Sequence, residues 1–312
     1  MKTPLTGVLI VDLFDLHSDT LTKCAEKGEP LFDGNLDFNL KKAQIFKKRC
    51  QTMAAFIPDS LRGEKATAYY KKLRNCLYSE LELNKSIACL CQDGNDVLNA
   101  ASKNKQAVIF SVESAAALGG KIENVKALYD DGVRIMSLTW NGENELACGV
   151  KGKGGITDLG KSVVGEMQRL GITVDVSHLN DRGFDELYDM GISPIIATHS
   201  NLRSVKNHPR NLTENQFKKI VSTGGVVGIN FYTEFLGDSP FEYAFRHIYR
   251  MLCLGGENTV AIGSDFDGAD FDRRLNSVEK ITKLAEYLLS NGLSDDTVNK
   301  IMFNNALRVL GE

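Results

Sequence analysis

The chain has 312 residues, 43% of them hydrophobic, which is enough for a substantial core; that length suits two average domains or one large α/β barrel. Its 37 basic and 40 acidic residues leave a formal charge of -3 without any run of five or six like charges, which argues against a nucleic-acid partner or a charged tail. No stretch of 18 apolar residues occurs, and Asp12 and Asp15 interrupt the first apolar run after MKTPLTG, so neither a membrane span nor an ordinary signal-peptide core is expected and the protein reads as cytoplasmic.

A strand buried on both faces reads as a short, nearly continuous apolar run. Such runs occupy 8–16, 52–56, 107–112, 133–138, 172–176, 194–198, 225–231 and 259–263. Helical patterns lie between most of them, and the interval 57–106 must hold at least two helices. Leu159, Val163, Val164, Met167 and Leu170 follow Thr157 at helical spacing, and Gly171 closes that segment. Thr213 and Gln216 form a capping-box pattern ahead of Phe217, Ile220 and Val221. Ser239, Pro240 and Glu242 combine a cap, a proline at the first helical position and a box carboxylate. Val278, Ile281, Leu284 and Leu288 make another stripe, and the last helix is expected from Ser294 toward Leu310. Eightfold strand and helix alternation with no linker predicts an α/β fold, a (β/α)8 TIM-like barrel in one domain over residues 1–312. The seven cysteines (24, 50, 76, 89, 91, 148 and 253) have neither framework nor zinc-knuckle spacing and read as buried free thiols in a reducing compartment.

Side chains at the carboxyl ends of barrel strands converge on one face, where chemistry is built. Three of the five histidines stand at such ends: His17, His178 and His199. Asp19 follows His17 at a spacing that, in an extended segment, puts both side chains on one side. Taken alone, that triplet also suits a capping or solvated pair. Glu113 ends the third run, where an unpaired carboxylate is costly to bury. It reads as a helix cap, an internal ion pair, or a carboxylate whose two oxygens bridge two metals. A lone histidine is usually a satisfied core residue, but His178 and His199 on consecutive strands, with His17 on the first, favour a divalent-metal site and hence a metallohydrolase. Asp265 ends the eighth run, where an acid can shuttle a proton beside a metal-activated water. Asp267 suits a turn ahead of Gly268, His208 a loop, and His247 a surface or packing position on a helix.

The order HSD at 17–19, Glu113, VSH at 176–178, THS at 198–200, PRN at 209–211, NFY at 230–232, GSDFDG at 263–268 and NALRVL at 305–310 resembles the membrane (renal) dipeptidase family of zinc peptidases, a branch of the amidohydrolase-like barrels. The resemblance spans nearly the whole chain. It implies hydrolysis of dipeptides, L,D-dipeptides among them, at two Zn2+ ions bridged by Glu113 and a hydroxide. One ion would be held by His17, Asp19 and Glu113, the other by Glu113, His178 and His199. Asp265 and Glu113 would be catalytic. Arg210 would anchor the substrate carboxylate, with Trp140, Tyr232 and Asn211 also on the substrate side, and a homodimer is suggested. Two dications with Asp19, Glu113 and a hydroxide would leave a net charge of about +1, to which Arg210 adds, so an anionic terminus would be drawn in.

One departure stands out. Where the family often carries a histidine after an LT pair, the chain reads Ser137-Leu138-Thr139-Trp140-Asn141. Trp140, the only tryptophan, offers an indole N–H but no charge and no acceptor. Losing an oxyanion donor costs about 10²–10³ in turnover. Two alternatives therefore accompany the dipeptidase reading: hydrolysis of another amide or lactam, and a barrel that holds metal with little or no turnover.

Overall fold

In the computed structural model, which describes residues 11–311, nine strands pair in parallel. They are β1 (Leu13–Ser18), β2 (Arg49–Phe56), β3 (Ala88–Cys91), β4 (Gln106–Glu113), β5 (Val133–Ser137), β6 (Thr173–Asp175), β7 (Ile195–Ile196), β8 (Val227–Ile229) and β9 (Val260–Ile262). The order across the sheet is β7-β6-β5-β4-β2-β1-β9-β8. Ala197 pairs with Val227, and its N–H and C=O bond Val226 and Gly228, both at 2.9 Å, so β7 meets β8 and the ring nearly closes. Helices cover its outer face, giving the expected (β/α)8 architecture.

Continuous burial of β1 and β4 explains why their sequences read as unbroken apolar runs. The main core lies between strands and helices, joining Met53, Phe110 and Val133 to Leu77, Val164, Ile220 and Leu284. A smaller cluster gathers Phe14, Ile109, Ile135, Ile196 and Ala261 from five strands.

Several expectations change. Val8, Leu9 and Ile10 lie outside the described residues. The interval 57–106 holds two helices, Gly63–Leu83 and Gly94–Ser102, but also the unforeseen strand β3 from the run SIACLC. On that edge of β4, β5 pairs only from Phe110 onward, and β3 pairs with Gln106–Ile109 below it, satisfying backbone groups otherwise left bare. Strands β6 and β7 are shorter than their apolar runs: Val176 and Ala197 still bond the neighbouring backbone, but the next N–H groups, of Ser177 and Thr198, turn to the Asp175 side chain.

Thr157 caps its helix by accepting from Gly160 N–H at 3.0 Å, and the box of Thr213 and Gln216 forms. Ser239 makes no side-chain cap and the Glu242 carboxylate pairs with Arg246, so only Pro240 at the first turn remains of that signal. From the Ser294 cap the chain stays helical to Val309, through one wider turn at 300–304. All seven cysteines are free, but Cys253 is exposed and Cys76 and Cys89 are half-buried, which corrects the expectation of uniformly buried thiols. Among the described residues, no helix is long and apolar enough to cross a membrane.

Candidate active site and metal centre

The carboxyl ends of β1, β4, β6, β7 and β9 deliver the site. The register of β1 against β2 shifts between Asp15 and Ser18, which re-aims His17 as it leaves the strand. Among the described residues, five non-glycine residues have positive φ: Asn104, Ser114 (76°), His178 (73°), Asp265 (67°) and Asp267 (69°). All but Asn104 belong to or adjoin this cluster. Each costs about 1–2 kcal/mol, a strain that surrounding structure must hold in place and that concentrates at functional sites.

His17 Nε2 lies 3.5 Å from Glu113 Oε2, 3.8 Å from Asp19 Oδ2 and 3.7 Å from Asp265 Oδ1. The other Glu113 oxygen, Oε1, lies 2.7 Å from His178 Nε2 and 3.7 Å from His199 Nε2. Oε2 thus faces His17 and Oε1 faces His178 and His199, and the ligand atoms of His17, Glu113 and His199 all lie within 4.8 Å of one another. His17 Nε2, Asp19 Oδ1 and Glu113 Oε2 are buried without a hydrogen-bond partner.

The ring tautomers follow from the far side of each imidazole. His178 Nδ1–H donates to Asn141 Oδ1 at 2.9 Å. His199 Nδ1–H donates to Thr198 Oγ1 at 2.8 Å, whose own proton goes to Asp175 Oδ2 at 2.5 Å. Both Nε2 atoms therefore carry lone pairs, and these face each other across 2.9 Å. Orphaned buried polar atoms and opposed lone pairs are unfavourable alone and are relieved by cations. Three imidazoles and two carboxylates are a donor set suited to zinc.

Charges in the cluster agree. Burial pushes Glu113 up to about 7 and Asp265 up to about 6, with Asp19 adding to both and His17 opposing. Burial works against protonation of His17, yet the Glu113 and Asp19 carboxylates raise it well above the ordinary value. Burial, with Arg210 and His17 nearby, keeps His178 and His199 neutral. The metal-free cluster therefore retains protons that a cation would drive off.

Around it, Asn230 Nδ2 donates to Asp265 Oδ2 at 2.9 Å. Arg210 is buried, gives one N–H to the His199 carbonyl at 3.2 Å, stacks over Phe235 and leaves its Nε without a partner. His208 sits in a loop and accepts the Arg210 backbone N–H at 3.1 Å. A cavity of about 310 Å³ opens over the cluster, walled by Phe56, Trp140, Tyr232 and Phe235. Trp140 packs edge-on to Phe56, ring centroids 5.0 Å apart, and stands 6.2 Å from His178.

Three other residues face elsewhere. Asn211 gives its amide to the carbonyls of Lys206 and Phe235, both at 2.8 Å, so it braces two loops. Asp267 is more than a turn-former. It accepts from the Thr20 hydroxyl at 2.6 Å and the Asp37 backbone at 2.9 Å, tying a loop to the site's rim. His247 bridges Leu202 N–H and the Leu236 carbonyl inside the fold. Asn141, Asn230, Asp175 and Thr198 were not foreseen as site residues. Their neighbours His178, Tyr232 and His199 were the visible signal, but a single sequence does not say which flanking side chain turns inward.

The profile of the membrane dipeptidase family (peptidase family M19) matches residues 9–312. An uncharacterized protein of Klebsiella pneumoniae from the pqqA 5′ region is 33% identical over 236 residues, 71% of this chain and 87% of that one. An uncharacterized dipeptidase of Schizosaccharomyces pombe is 31% identical over 217 residues, 66% of this chain, and the match spans only 53% of its length. In structure, dipeptidase AC, a metallopeptidase of family M19, superposes with a TM-score of 0.92 at 25% identity, over 97% of this chain and 98% of that one. A Rhodobacter sphaeroides metallopeptidase liganded with a phosphinate mimic of L-Ala-D-Ala shares the fold, with a TM-score of 0.91 at 24% identity over 97% of this chain and 99% of that one. The chain belongs to the membrane dipeptidase family, peptidase family M19, and is a metal-dependent dipeptidase.

Proposed function

We propose that the protein is a dipeptidase using two Zn2+ ions, with Glu113 shared between His17 and Asp19 on one side and His178 and His199 on the other. The observation that carries this is Glu113 itself, a buried carboxylate with each oxygen turned to a different donor group. Bound there, zinc supplies Lewis acidity toward the scissile carbonyl and acidifies water. Asp265, fixed through Oδ2 by Asn230, keeps Oδ1 toward the cluster and moves the proton from the attacking water to the departing amine. Arg210 has an unused buried N–H and a full charge, and it grips the substrate's terminal carboxylate. The aromatic walls, Trp140 and Tyr232 among them, exclude water, and Asn211 holds the Arg210 loop rather than the substrate.

A cavity of about 310 Å³ suits a small dipeptide. The phosphinate mimic of L-Ala-D-Ala in the R. sphaeroides structure makes L,D-dipeptides the first substrates to try. One barrel domain carries the whole site in this reading, and seven free thiols support a reducing, cytoplasmic setting. Dimerisation rests on the family resemblance alone. The replacement of the usual histidine by Trp140 keeps a second reading in play, in which another amide or a lactam is the substrate. A panel of amides differing only in a free amino terminus separates the two. For the main reading, Glu113→Gln is expected to lower zinc content and to cut dipeptide kcat/KM by at least about 10²-fold. Unchanged zinc and turnover would overturn it.

A further inference from the structure

Two buried carboxylates outside the ligand set repeat one hydrogen-bond pattern. On β1, Asp15 Oδ1 accepts the backbone N–H of His17 at 3.3 Å and of Ser264 at 2.8 Å, while Oδ2 accepts the Ser264 hydroxyl at 2.5 Å. On β6, Asp175 Oδ1 accepts the backbone N–H of Ser177 at 2.9 Å and of Thr198 at 3.0 Å, while Oδ2 accepts the Thr198 hydroxyl at 2.5 Å. Each carboxylate thus grips its own chain two residues on and a hydroxyl residue beyond the end of the neighbouring parallel strand. The residues next in line after those hydroxyls are Asp265 and His199, and the carboxylate-bearing chains lead into His17 and His178. Both carboxylates are almost fully buried, at 0% and 4% exposure, a costly place for charge unless it does something packing cannot.

We propose that Asp15 and Asp175 are positioning residues, a pair of carboxylate clamps that lock adjacent strand ends and so aim the metal-facing side chains. This inference rests on the metal-centre reading above. The clamp at Asp175 extends one step further. A carboxylate only accepts, so Thr198 gives its proton to Asp175 and is left only to accept, from His199 Nδ1–H at 2.8 Å and from the Ser177 hydroxyl at 3.3 Å. The chain of bonds runs one way and leaves His199 Nε2 as a bare lone pair pointed at the cluster. Asn141 fixes His178 in the same sense, through Nδ1 at 2.9 Å.

Thr198→Val removes the hydroxyl while keeping the shape. Chelator competition with Zn2+ alone should show affinity about 10–100-fold weaker than wild type, and Thr198→Ser should restore it to within about threefold. In 15N histidine spectra of metal-free protein, His199 should be a single Nδ1–H tautomer in the wild type and a mixture in Thr198→Val. Asp175→Asn, which leaves Thr198 free to turn its proton toward His199, should give the same mixture and serves if the valine variant does not fold. Zinc affinity within about twofold of wild type together with an unchanged tautomer would overturn the clamp, as would equal losses in the serine and valine variants. The spectra need no metal, so they test the clamp even if the wild type takes up no Zn2+, the result that instead overturns the metal-centre reading.

Discussion

Arg210 concentrates the substrate question in one side chain. Its guanidinium is buried, stacked over Phe235 and short of one partner at Nε, which is costly unless a ligand completes it. Truncating one partner of a buried charge pair costs about 2–5 kcal/mol, so Arg210→Met is expected to lower kcat/KM for a free dipeptide by at least about 30-fold, mainly through KM. The same dipeptide with an amidated C-terminus should lose far less. Equal losses on both substrates would mean that Arg210 braces the fold and does not hold a carboxylate. At this scale the proposed metal ligands were legible because each closes an apolar run, where no ordinary loop residue needs to be His or Glu. Asn141, Asn230 and Asp175 were not, since an amide or carboxylate inside a motif reads the same whether it faces solvent or an imidazole.

Helices report on stability as well as scaffold. The helix Pro240–Cys253 buries His247, which accepts from Leu202 N–H at 3.1 Å and donates to the Leu236 carbonyl at 3.0 Å, pinning two site-bearing loops. Burial lowers its pKa to about 4, below the ordinary 6.5. Between those values the unfolded chain binds a proton that the folded chain refuses, so this stabilisation is complete above pH 6.5 and is lost as the pH falls toward 4. The amount is about 3 kcal/mol. Urea unfolding of metal-free protein should find His247→Gln less stable than wild type at pH 7.5, with the gap closing by about that much at pH 4.5. A gap independent of pH would contradict the assignment. The sequence placed this residue on a helix from the start signals at Ser239, Pro240 and Glu242. It could not find β3, which exists to complete one edge of β4, or the missing capping box at Ser239, whose Glu242 carboxylate pairs with Arg246 instead.

The barrel as a whole brings together residues from the first and last strands that no local structure could unite. Its closing seam shows why: a Cβ at Gly228 or Gly263 would fall 2.0 Å or 1.8 Å from the Thr198 carbonyl oxygen, so glycine lets the end of β7 press against β8 and β9. That approach carries His199 to within 3.9 Å of His17, ring centroid to centroid. Strand alternation made the architecture readable in advance, whereas the seam depends on contacts between segments far apart in sequence. The central claim is that this convergence holds two cations on one shared carboxylate. Anomalous diffraction at the zinc edge from crystals of Zn2+-loaded protein tests it directly. The account predicts two peaks flanking Glu113, one beside His17 and Asp19 and the other beside His178 and His199. No peak, or one ion away from Glu113, would contradict it.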